Sequence, residues 1–342
     1  MIDRVLIVGA GSIGIRHLGV VREVLPLSKI MVFRRYESRD LSNSGLCDFV
    51  TCSMDDIELF QPQVAIVANP ATFHAQIAAV LIDLGCHVLI EKPLTSCSVD
   101  AKELISKISS KKRVVSRVGY NLRFLESMKK FKSLIDEGVI GEVLSIRCEV
   151  GQRLTKWRPA VDYRSTVSAQ RSMGGGVLRE LSHEIDYLKW IFGDVVRVNA
   201  WVGKLSDLDI NVEDSAHLWL EFDKTVNNLG LIATVSMDFM RHDDTRKCYV
   251  IGSEGTLLWD GMQGRLQMYS CENDKWKDFE VSPVDRNASY KMQFLDFCDS
   301  VRRGDTDLTS VINGLAVLEV IESAERSAKL GCFVNLSASE EP

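Results

Sequence analysis

At 342 residues, the chain is too long for one small core and long enough for two domains. Hydrophobic residues make up 46% of it and charged residues 26%, which is typical of a globular protein and excludes a disordered one. The net charge is −6 and the longest basic cluster is Lys111-Lys112-Arg113, so we expect no nucleic-acid partner. No segment approaches the roughly 18 consecutive apolar residues of a membrane span, so we expect no membrane partner.

The nine cysteines are scattered along the chain, and no two of them form a C-x-x-C pair. A disulfide framework or a zinc site needs closer, paired spacing, so we expect reduced thiols and no bound metal. The apolar run from Val5 to Ala10 is too short for a signal peptide, and no basic segment precedes it. These features predict a cytoplasmic protein.

The first third of the chain alternates β-branched runs with segments whose apolar residues recur at helical spacing. The predicted strands are Arg4–Val8, Ile30–Phe33, Asp48–Thr51, Val64–Ala68, His87–Ile90 and Arg113–Val118. The predicted helices are Ile13–Leu25, Phe73–Leu84 and Val99–Ile108. Strands that alternate with helices indicate βαβ units, so residues 1–119 are predicted to form a Rossmann domain with a doubly wound parallel sheet.

Residues 120–342 show a different rhythm, in which long strand-like runs follow one another with few helices between them. The predicted helices are Leu125–Glu137, Val177–Phe192, Tyr290–Arg302 and Val311–Leu330. A strand is predicted at Val143–Val150, followed after the second helix by a mostly β region from Val195 to Trp259, with turns at 227–228 and 253–255. This pattern predicts a C-terminal α+β domain with an open, largely antiparallel sheet that supplies the substrate site.

A glycine fingerprint, Gly9-Ala-Gly11-Ser12-Ile13-Gly14, follows the first strand directly and opens a helix. The three glycines permit a tight turn, close approach of the backbone to a pyrophosphate, and close packing of helix on strand. The pyrophosphate would lie on the first amides of the helix, where the helix dipole favours negative charge. The position of the motif at a strand–turn–helix junction predicts a dinucleotide site, and the alternative is a glycine-rich turn without a ligand.

The end of the second strand bears on the choice of cofactor. An acidic residue there would hold a ribose 2′-hydroxyl, but the chain has Arg34-Arg35. A guanidinium suits a 2′-phosphate, which favours NADP. Glu37 lies close by, so NAD stays open.

Glu91-Lys92-Pro93 follows the fifth strand, at the sheet edge where ligands bind in open α/β folds. Pro93 disfavours helical geometry at Lys92, so the lysine is expected to stay extended at that edge. Hydride transfer at a carbon that bears oxygen requires a proton to move on that oxygen, and Lys92 is a candidate to carry it. The alternative is a solvated lysine in a loop.

The predicted helix Val177–Phe192 carries a second candidate site. A helical projection places five apolar residues on one stripe and His183 nearly opposite it, with Glu180 on the same flank. Tyr187 and Trp190 share that second face, which predicts that His183 and Glu180 face a cavity. The alternative is a histidine packed in the core.

The loop before this helix contains Trp157, Arg158, Tyr163 and Arg164. Arginine and aromatic side chains fixed in a loop are suited to sugar hydroxyls, carboxylates or phosphates, so these four are candidate substrate residues. An ordered surface loop or an oligomer contact is the other interpretation.

Taken in order, these motifs resemble those of the Gfo/Idh/MocA family, which includes glucose-fructose oxidoreductase and inositol dehydrogenase. The resemblance spans nearly the whole chain, and its elements are Gly9-x-Gly11-x-x-Gly14, Asn69-Pro70 with His74, Glu91-Lys92-Pro93, Gly119-Tyr120-Asn121-x-Arg123-Phe124, Gly138-Val-Ile-Gly141-Glu142-Val143, the triple glycine 174–176 with Ser182-His183-x-x-Asp186, and Gly252-Ser-Glu-Gly255-Thr256.

The resemblance implies oxidation or reduction at a carbon of a sugar or cyclitol. It implies proton transfer by Lys92 and contact of His183 with the reacting oxygen. The residues it implies near the cofactor are Asn69, Pro70, His74 and Glu91, and Arg123 joins the candidate substrate residues. It also implies a homo-oligomer, a dimer or a tetramer, formed through the outer face of the open sheet.

One position departs from the family pattern. Relatives commonly have an aspartate one helical turn before the histidine, and this chain has Arg179 there, followed by Glu180. The segments around Trp157 and His183 resemble a branch found in polysaccharide and amino-sugar pathways, which indicates an activated or acidic sugar as the small-molecule substrate. Two other functions stay open, namely a sugar hydrolase or eliminase that cycles a retained NAD, and a non-catalytic dinucleotide sensor.

Overall fold

A computed structural model describes residues 2–35, 45–226, 229–272, 274–279 and 285–336. Glu37 and the turn predicted at 227–228 lie outside this part of the chain. The chain divides into two compact units. The first consists of Met1–Asn121 and Arg286–Leu318, and the second of Leu122–Asp285 and Glu319–Pro342.

The first unit is built on a six-stranded parallel sheet. Its strands are β1 Arg4–Val8, β2 Lys29–Phe33, β3 Phe49–Thr51, β4 Val64–Val67, β5 His87–Ile90 and β6 Ser116–Val118. Their order is β3-β2-β1-β4-β5-β6, so the direction of winding reverses between β1 and β4. This is the order of the Rossmann fold, whose ligands bind where the order reverses. The predicted doubly wound parallel sheet is confirmed.

Helices connect these strands: α1 Ser12–Val24, α2 Met54–Phe60, α3 His74–Asp83 and α4 Ser98–Ser110. The sequence prediction missed α2, which has seven residues. Its beginning is capped by Ser53, whose Oγ accepts a hydrogen bond from the amide of Asp55 at 3.2 Å. A helix of two turns is too short to show helical periodicity, so only its cap residues signal it.

The second unit is built on a nine-stranded sheet within the described residues. The strands are β7 Val143–Gly151, β8 Val195–Gly203, β9 Ser215–Val226, β10 Leu229–Asp238, β11 Thr245–Gly252, β12 Gly255–Asp260, β13 Arg265–Ser270, β14 Lys275–Phe279 and β15 Val334–Asn335. Their order is β14-β13-β12-β11-β7-β10-β9-β8-β15, and β7 with β10 is the one parallel pair among the described strands of this sheet. The predicted open, largely antiparallel sheet is confirmed.

One face of this sheet is buried and the other is open. Along β9, Leu218, Leu220 and Phe222 are buried, and Trp219 between them is exposed. The helices of this unit are α5 Glu126–Asp136, α6 Leu154–Trp157, α7 Val177–Glu180 and α8 His183–Phe192, with single 3₁₀ turns in the loop 163–173. Helix α5 packs on the buried face, where the indole of Trp259 donates to Ser127 Oγ at 3.0 Å.

The helix predicted at Val177–Phe192 is wrong as a continuous helix. It is interrupted at Leu181 and Ser182, which separate α7 from α8. The apolar spacing continues across the break because residues 177, 181, 185, 188 and 192 are all buried. Periodicity reports the buried face, and it does not report whether the backbone hydrogen bonds continue along it.

Two further helices, α9 Arg286–Arg303 and α10 Thr309–Leu330, end the described chain before β15. The predicted division at residue 120 assigned both to the second domain, but the residues 286–318 belong to the first unit. The reason is the apolar face of α9, from which Tyr290, Phe294 and Phe297 pack into the core that contains β1 and α1. The start of α10 also lies close to the sheet, since a Cβ at Gly314 would be 3.0 Å from Val118.

No helix in the described part of the chain has the length and apolar character needed to cross a membrane.

We expect Phe294→Ala to lower the free energy of unfolding of the first unit by about 3–5 kcal/mol, because it removes a fully buried ring from that core. Met292, two residues away on α9, is 45% exposed, so Met292→Ala should cost less than about 0.5 kcal/mol. Hydrogen exchange of the β1 amides, measured at increasing urea concentration, gives the free energy of unfolding of each variant. Equal effects of the two variants on β1 would contradict the assignment of α9 to this core.

Candidate functional site

The glycine turn after β1 has the geometry of an anion site. Gly9 has φ +94°, and a Cβ there would lie 2.8 Å from the carbonyl oxygen of Ala68. A Cβ at Gly14 would lie 2.1 Å from the carbonyl oxygen of Gly9, so α1 packs directly on the turn. A Cβ at Gly11 would meet nothing within 4 Å. Two glycines are therefore required by the fold, and the third leaves open space beside the first amides of α1, from Ser12 and Ile13.

The first amides of a helix have no intrahelical partner, and the helix dipole gives that end a partial positive charge. The open space at Gly11 therefore adjoins backbone donors suited to a pyrophosphate. This geometry fits a dinucleotide at the predicted position.

Arg34 lies directly after β2, next to the same turn. The amide of Gly9 donates to the carbonyl of Phe33 at 2.8 Å, and the amide of Arg34 donates to the carbonyl of Thr51 at 3.0 Å. Arg34 is half-buried, and its Nε has no hydrogen-bond partner within the described ranges. Arg35 is exposed. The Nε of Arg34 is thus a donor without a partner in this part of the chain, and contact of Arg34 and Arg35 with the cofactor stays a prediction.

The loops after β4 and β5 are tied together by His74. Its Nε2 lies 2.8 Å from the carbonyl oxygen of Asn69, and its Nδ1 lies 3.0 Å from that of Pro93. The ring is buried, and this burial lowers the pKa of His74, which favours the neutral form. Asn69 also directs a buried Oδ1 that lacks a hydrogen-bond partner among the residues that the structure describes. The structure thus gives His74 a structural function, and its place near the cofactor stays a prediction, as do those of Asn69 and Pro70.

Glu91 follows β5 and is 7% exposed. Its Oε1 lies 2.7 Å from His17 Nε2, and its Oε2 accepts a hydrogen bond from the amide of Lys92 at 3.0 Å. Both carboxylate oxygens are therefore used within the protein. Lys92 is half-buried and precedes a cis peptide bond to Pro93. The sequence analysis missed His17, whose signal was its place on α1 three residues after Gly14.

The second unit holds the other predicted catalytic residues. His183 is the first residue of α8 and is 8% exposed. Glu180 ends α7, and its Oε2 accepts from Ser168 Oγ at 2.9 Å. The break between α7 and α8 means that the projection on one helix does not relate these two side chains. Their cooperation at a cavity stays a prediction.

The same projection is wrong for Tyr187, which it placed on the face of His183. Tyr187 is fully buried, and its hydroxyl hydrogen-bonds with Cys148 Sγ at 2.7 Å. Its ring packs edge-on against Trp259, with centroids 5.6 Å apart. The sheet packs around α8 from a direction that the sequence does not specify, so a polar ring becomes a core residue.

Arg123 forms a bidentate ion pair with Asp186, with Nε and Nη2 at 2.8 and 2.7 Å from the two carboxylate oxygens. Asp186 is fully buried, and burial raises its pKa while the guanidinium of Arg123 offsets part of this effect. The guanidinium also lies over the ring of Trp190, 5.6 Å from its centroid. Arg123 therefore anchors α8, and substrate binding by its other N–H donors stays a prediction.

The predicted substrate loop is ordered mainly by its own contacts. The indole of Trp157 donates to the carbonyl of Gln152 at 3.2 Å, and the hydroxyl of Tyr163 accepts from the amide of Asp209 at 3.1 Å. Arg164 is exposed and pairs with Asp162, which lowers the pKa of that carboxyl. Arg158 is half-buried. The structure shows no common site for these four side chains, and their contact with substrate stays a prediction.

Arg179, at the position that departs from the family pattern, pairs with Glu325 on α10 at 2.5 Å. Glu213 lies nearby, where it accepts from the amide of Leu178 at 3.3 Å, and burial raises its pKa.

Within the described ranges, no three His, Cys, Asp or Glu side chains are grouped so that they could hold a metal ion.

Comparison with known proteins relates both units to one family. Residues 4–120 match the model of the oxidoreductase family with an NAD-binding Rossmann fold, and residues 128–258 match the Gfo/Idh/MocA C-terminal domain. The scyllo-inositol 2-dehydrogenase (NADP⁺) of Bacillus subtilis is 24% identical over 95% of this chain and 94% of its own length.

Solved structures share the fold over nearly the whole chain. Levoglucosan dehydrogenase in complex with NADH and levoglucosan has a TM-score of 0.86 at 20% identity, over 98% of this chain and 99% of that one. GenD2 from gentamicin A biosynthesis, in complex with NAD, has a TM-score of 0.82 at 26% identity, over 98% and 97% of the two chains. The chain therefore belongs to the Gfo/Idh/MocA family of NAD(P)-dependent oxidoreductases.

Proposed function

We propose that the protein is a reversible dehydrogenase or reductase that acts on a hydroxyl or carbonyl carbon of a sugar, with NADP(H) as the preferred cofactor. The observation that carries this proposal is the arrangement of the first unit, in which an open glycine turn begins α1 and a lysine held by its main chain follows β5. When bound, the nicotinamide would accept or supply the hydride. The glycine turn and the amides of Ser12 and Ile13 would hold its pyrophosphate.

Lys92 would donate or accept the proton on the substrate oxygen. A primary amine suits this task because it can both donate and accept a proton, which a guanidinium cannot do near neutral pH. His183 would hydrogen-bond the same oxygen, and Glu180 would orient the substrate. Glu91 supports this assignment of Lys92, since it holds the lysine main chain at the carboxyl edge of the sheet.

The proposed substrate is an activated or acidic sugar. Trp157, Arg158, Tyr163 and Arg164 supply the aromatic and cationic groups that would bind it. The relatives named above include dehydrogenases of scyllo-inositol and levoglucosan and a protein of gentamicin A biosynthesis, which supports a polyhydroxylated substrate. A thermal-shift screen with NAD, NADP, nucleotide sugars and cyclitols tests the cofactor and the substrate class together.

We also propose a homo-oligomer, dimer or tetramer, that uses the open sheet face. Trp201, Trp219 and Phe333 form an exposed aromatic band along β8, β9 and the start of β15, and the rings of Trp219 and Phe333 lie 6.3 Å apart. Exposed clusters of large aromatic side chains are typical of protein–protein contacts. The cytoplasmic location stays a prediction.

We expect Lys92→Ala to lower kcat by about 10²–10⁴-fold, the usual contribution of general acid–base catalysis, and to leave the Kd of the dinucleotide nearly unchanged. Lys112→Ala, at an exposed lysine of the same unit, is the control and should keep wild-type turnover. Nicotinamide absorbance measures turnover, and fluorescence titration measures binding. Full turnover by Lys92→Ala would refute the assigned role, whereas loss of both properties would indicate damaged folding.

Arg34→Ala should raise the KM for NADP by about tenfold or more, because a hydrogen bond to a charged group contributes about 1.5–3 kcal/mol. The KM for NAD should change little. Arg113→Ala removes the same charge at an exposed position of the first unit and should leave both constants unchanged. A lower KM for NAD than for NADP in the wild-type protein, or an equal change of both KM values in Arg34→Ala, would contradict the proposed preference for NADP.

Trp219→Glu should dissociate the oligomer, because it places a charge in the centre of the aromatic band. Leu59→Glu is the matched control, at an apolar residue of the first unit that is 84% exposed. Light scattering after size exclusion gives the mass of each variant. A monomeric wild-type protein, or a Trp219→Glu variant of unchanged mass, would rule out this interface.

A further inference from the structure

We propose that His17 is a positioning residue for the lysine that follows β5: by holding the carboxylate of Glu91, it fixes the main chain of Lys92. The inference rests on the proposed function, in which Lys92 transfers the proton. It assigns a role in turnover to a side chain of α1, the helix whose first amides would bind the pyrophosphate.

His17 lies completely inside the first unit, with 0% exposure. Its Nε2 lies 2.7 Å from Glu91 Oε1, and because a carboxylate only accepts, the imidazole donates this hydrogen bond. Its Nδ1 has no hydrogen-bond partner in the described ranges. The ring packs edge-on against Tyr290, with centroids 5.3 Å apart. Among the described residues, Glu91 is therefore the polar contact that accounts for a histidine at this position.

Glu91 connects His17 to Lys92, because its two carboxylate oxygens contact one residue each. Its second oxygen, Oε2, accepts from the amide of Lys92 at 3.0 Å. A Cβ at Gly119 would lie 3.0 Å from the same carboxylate, so the absence of a side chain there leaves the space that the carboxylate fills. The carboxylate is thus enclosed by an imidazole, a main-chain amide and a glycine, and it cannot turn without losing a hydrogen bond.

The other side of the turn is anchored independently, since His74 contacts the carbonyl oxygen of Pro93 at 3.0 Å. Loss of His17 should therefore loosen the main chain at Lys92 without releasing the whole loop. A displacement of about 1 Å in a catalytic group is enough to lower turnover by about 10²-fold. Removal of one partner also leaves the other buried polar group unsatisfied, which favours rearrangement of Glu91.

Two variants separate positioning from packing. H17F keeps a ring against Tyr290 but removes the donor, and H17Q keeps a donor near the position of Nε2. We expect H17F to lower kcat by about 10–100-fold while the dinucleotide Kd and the substrate KM stay close to wild type. H17Q should recover most of the lost turnover. If H17F does not fold, H17N replaces it, because its amide stops short of the Nε2 position.

Hydrogen exchange at the amide of Lys92 gives a readout that does not depend on activity. We expect exchange in H17F to be about tenfold faster or more, since the acceptor of this amide is no longer fixed, and exchange in H17Q to be near wild type. Mass spectrometry of the peptide that contains residues 88–95 measures it in the protein without added cofactor. The melting temperature of each variant shows whether the fold is intact.

Wild-type kcat and unchanged exchange at Lys92 in folded H17F would overturn the inference while leaving the proposed function intact. A fall in dinucleotide affinity with unchanged kcat would overturn it as well, because His17 would then serve only the glycine turn. Full turnover by Lys92→Ala would instead refute the proposed function itself, whatever the exchange rate in H17F.

Discussion

The first unit depends on the contact of α1 with the turn that precedes it. A side chain at residue 14 would place its Cβ 2.1 Å from the carbonyl oxygen of Gly9, so the helix can lie this close to β1 only with glycine there. Because α1 is held at this distance, its first amides border the open space at Gly11. One turn later, His17 reaches the carboxylate of Glu91 beyond the end of β5. The close approach of α1 to this turn thus underlies both the proposed pyrophosphate site at the start of the helix and the proposed support of Lys92 by His17.

Elements determined by local sequence were predicted well. The strands Arg4–Val8 and His87–Ile90 have the same bounds in the prediction and in the structure. Buried parallel strands appear in a sequence as short continuous apolar runs, and glycine or polar residues bound them on both sides. The open sheet of the second unit was likewise predicted, from long strand-like runs with few helices between them. The division of the chain was not, because nothing in the sequence of α9 says against which core its apolar face will pack.

The candidate site was predictable to the extent that its residues belong to motifs. The glycine turn, Arg34 and Lys92 follow strands directly, so the topology alone brings them to the carboxyl edge of the sheet. Partners that are distant in the sequence could not be predicted in the same way. His17 meets Glu91 across 74 residues, and Arg123 meets Asp186 across 63. Sequence motifs therefore cannot show whether a charged side chain is available to a ligand. Arg123 and Arg164 were both predicted to bind substrate, and both form ion pairs within the folded protein.

The arginine at position 179 limits how the second unit can contribute to the proposed reaction. A guanidinium stays protonated near neutral pH, so it cannot take the place of an aspartate that accepts a hydrogen bond or a proton. Glu325 forms an ion pair with Arg179, which balances the charge of the guanidinium and stabilises the packing of α7 on α10. If a carboxylate orients the substrate, it must therefore come from another residue, and Glu180 is next in the chain. Its Oε2 accepts a hydrogen bond from Ser168 Oγ, which restrains the rotamer of the carboxylate. The replacement of aspartate by Arg179 thus exchanges a polar group for a structural ion pair, and the proposed orienting function moves by one residue to a carboxylate that the loop around Ser168 supports.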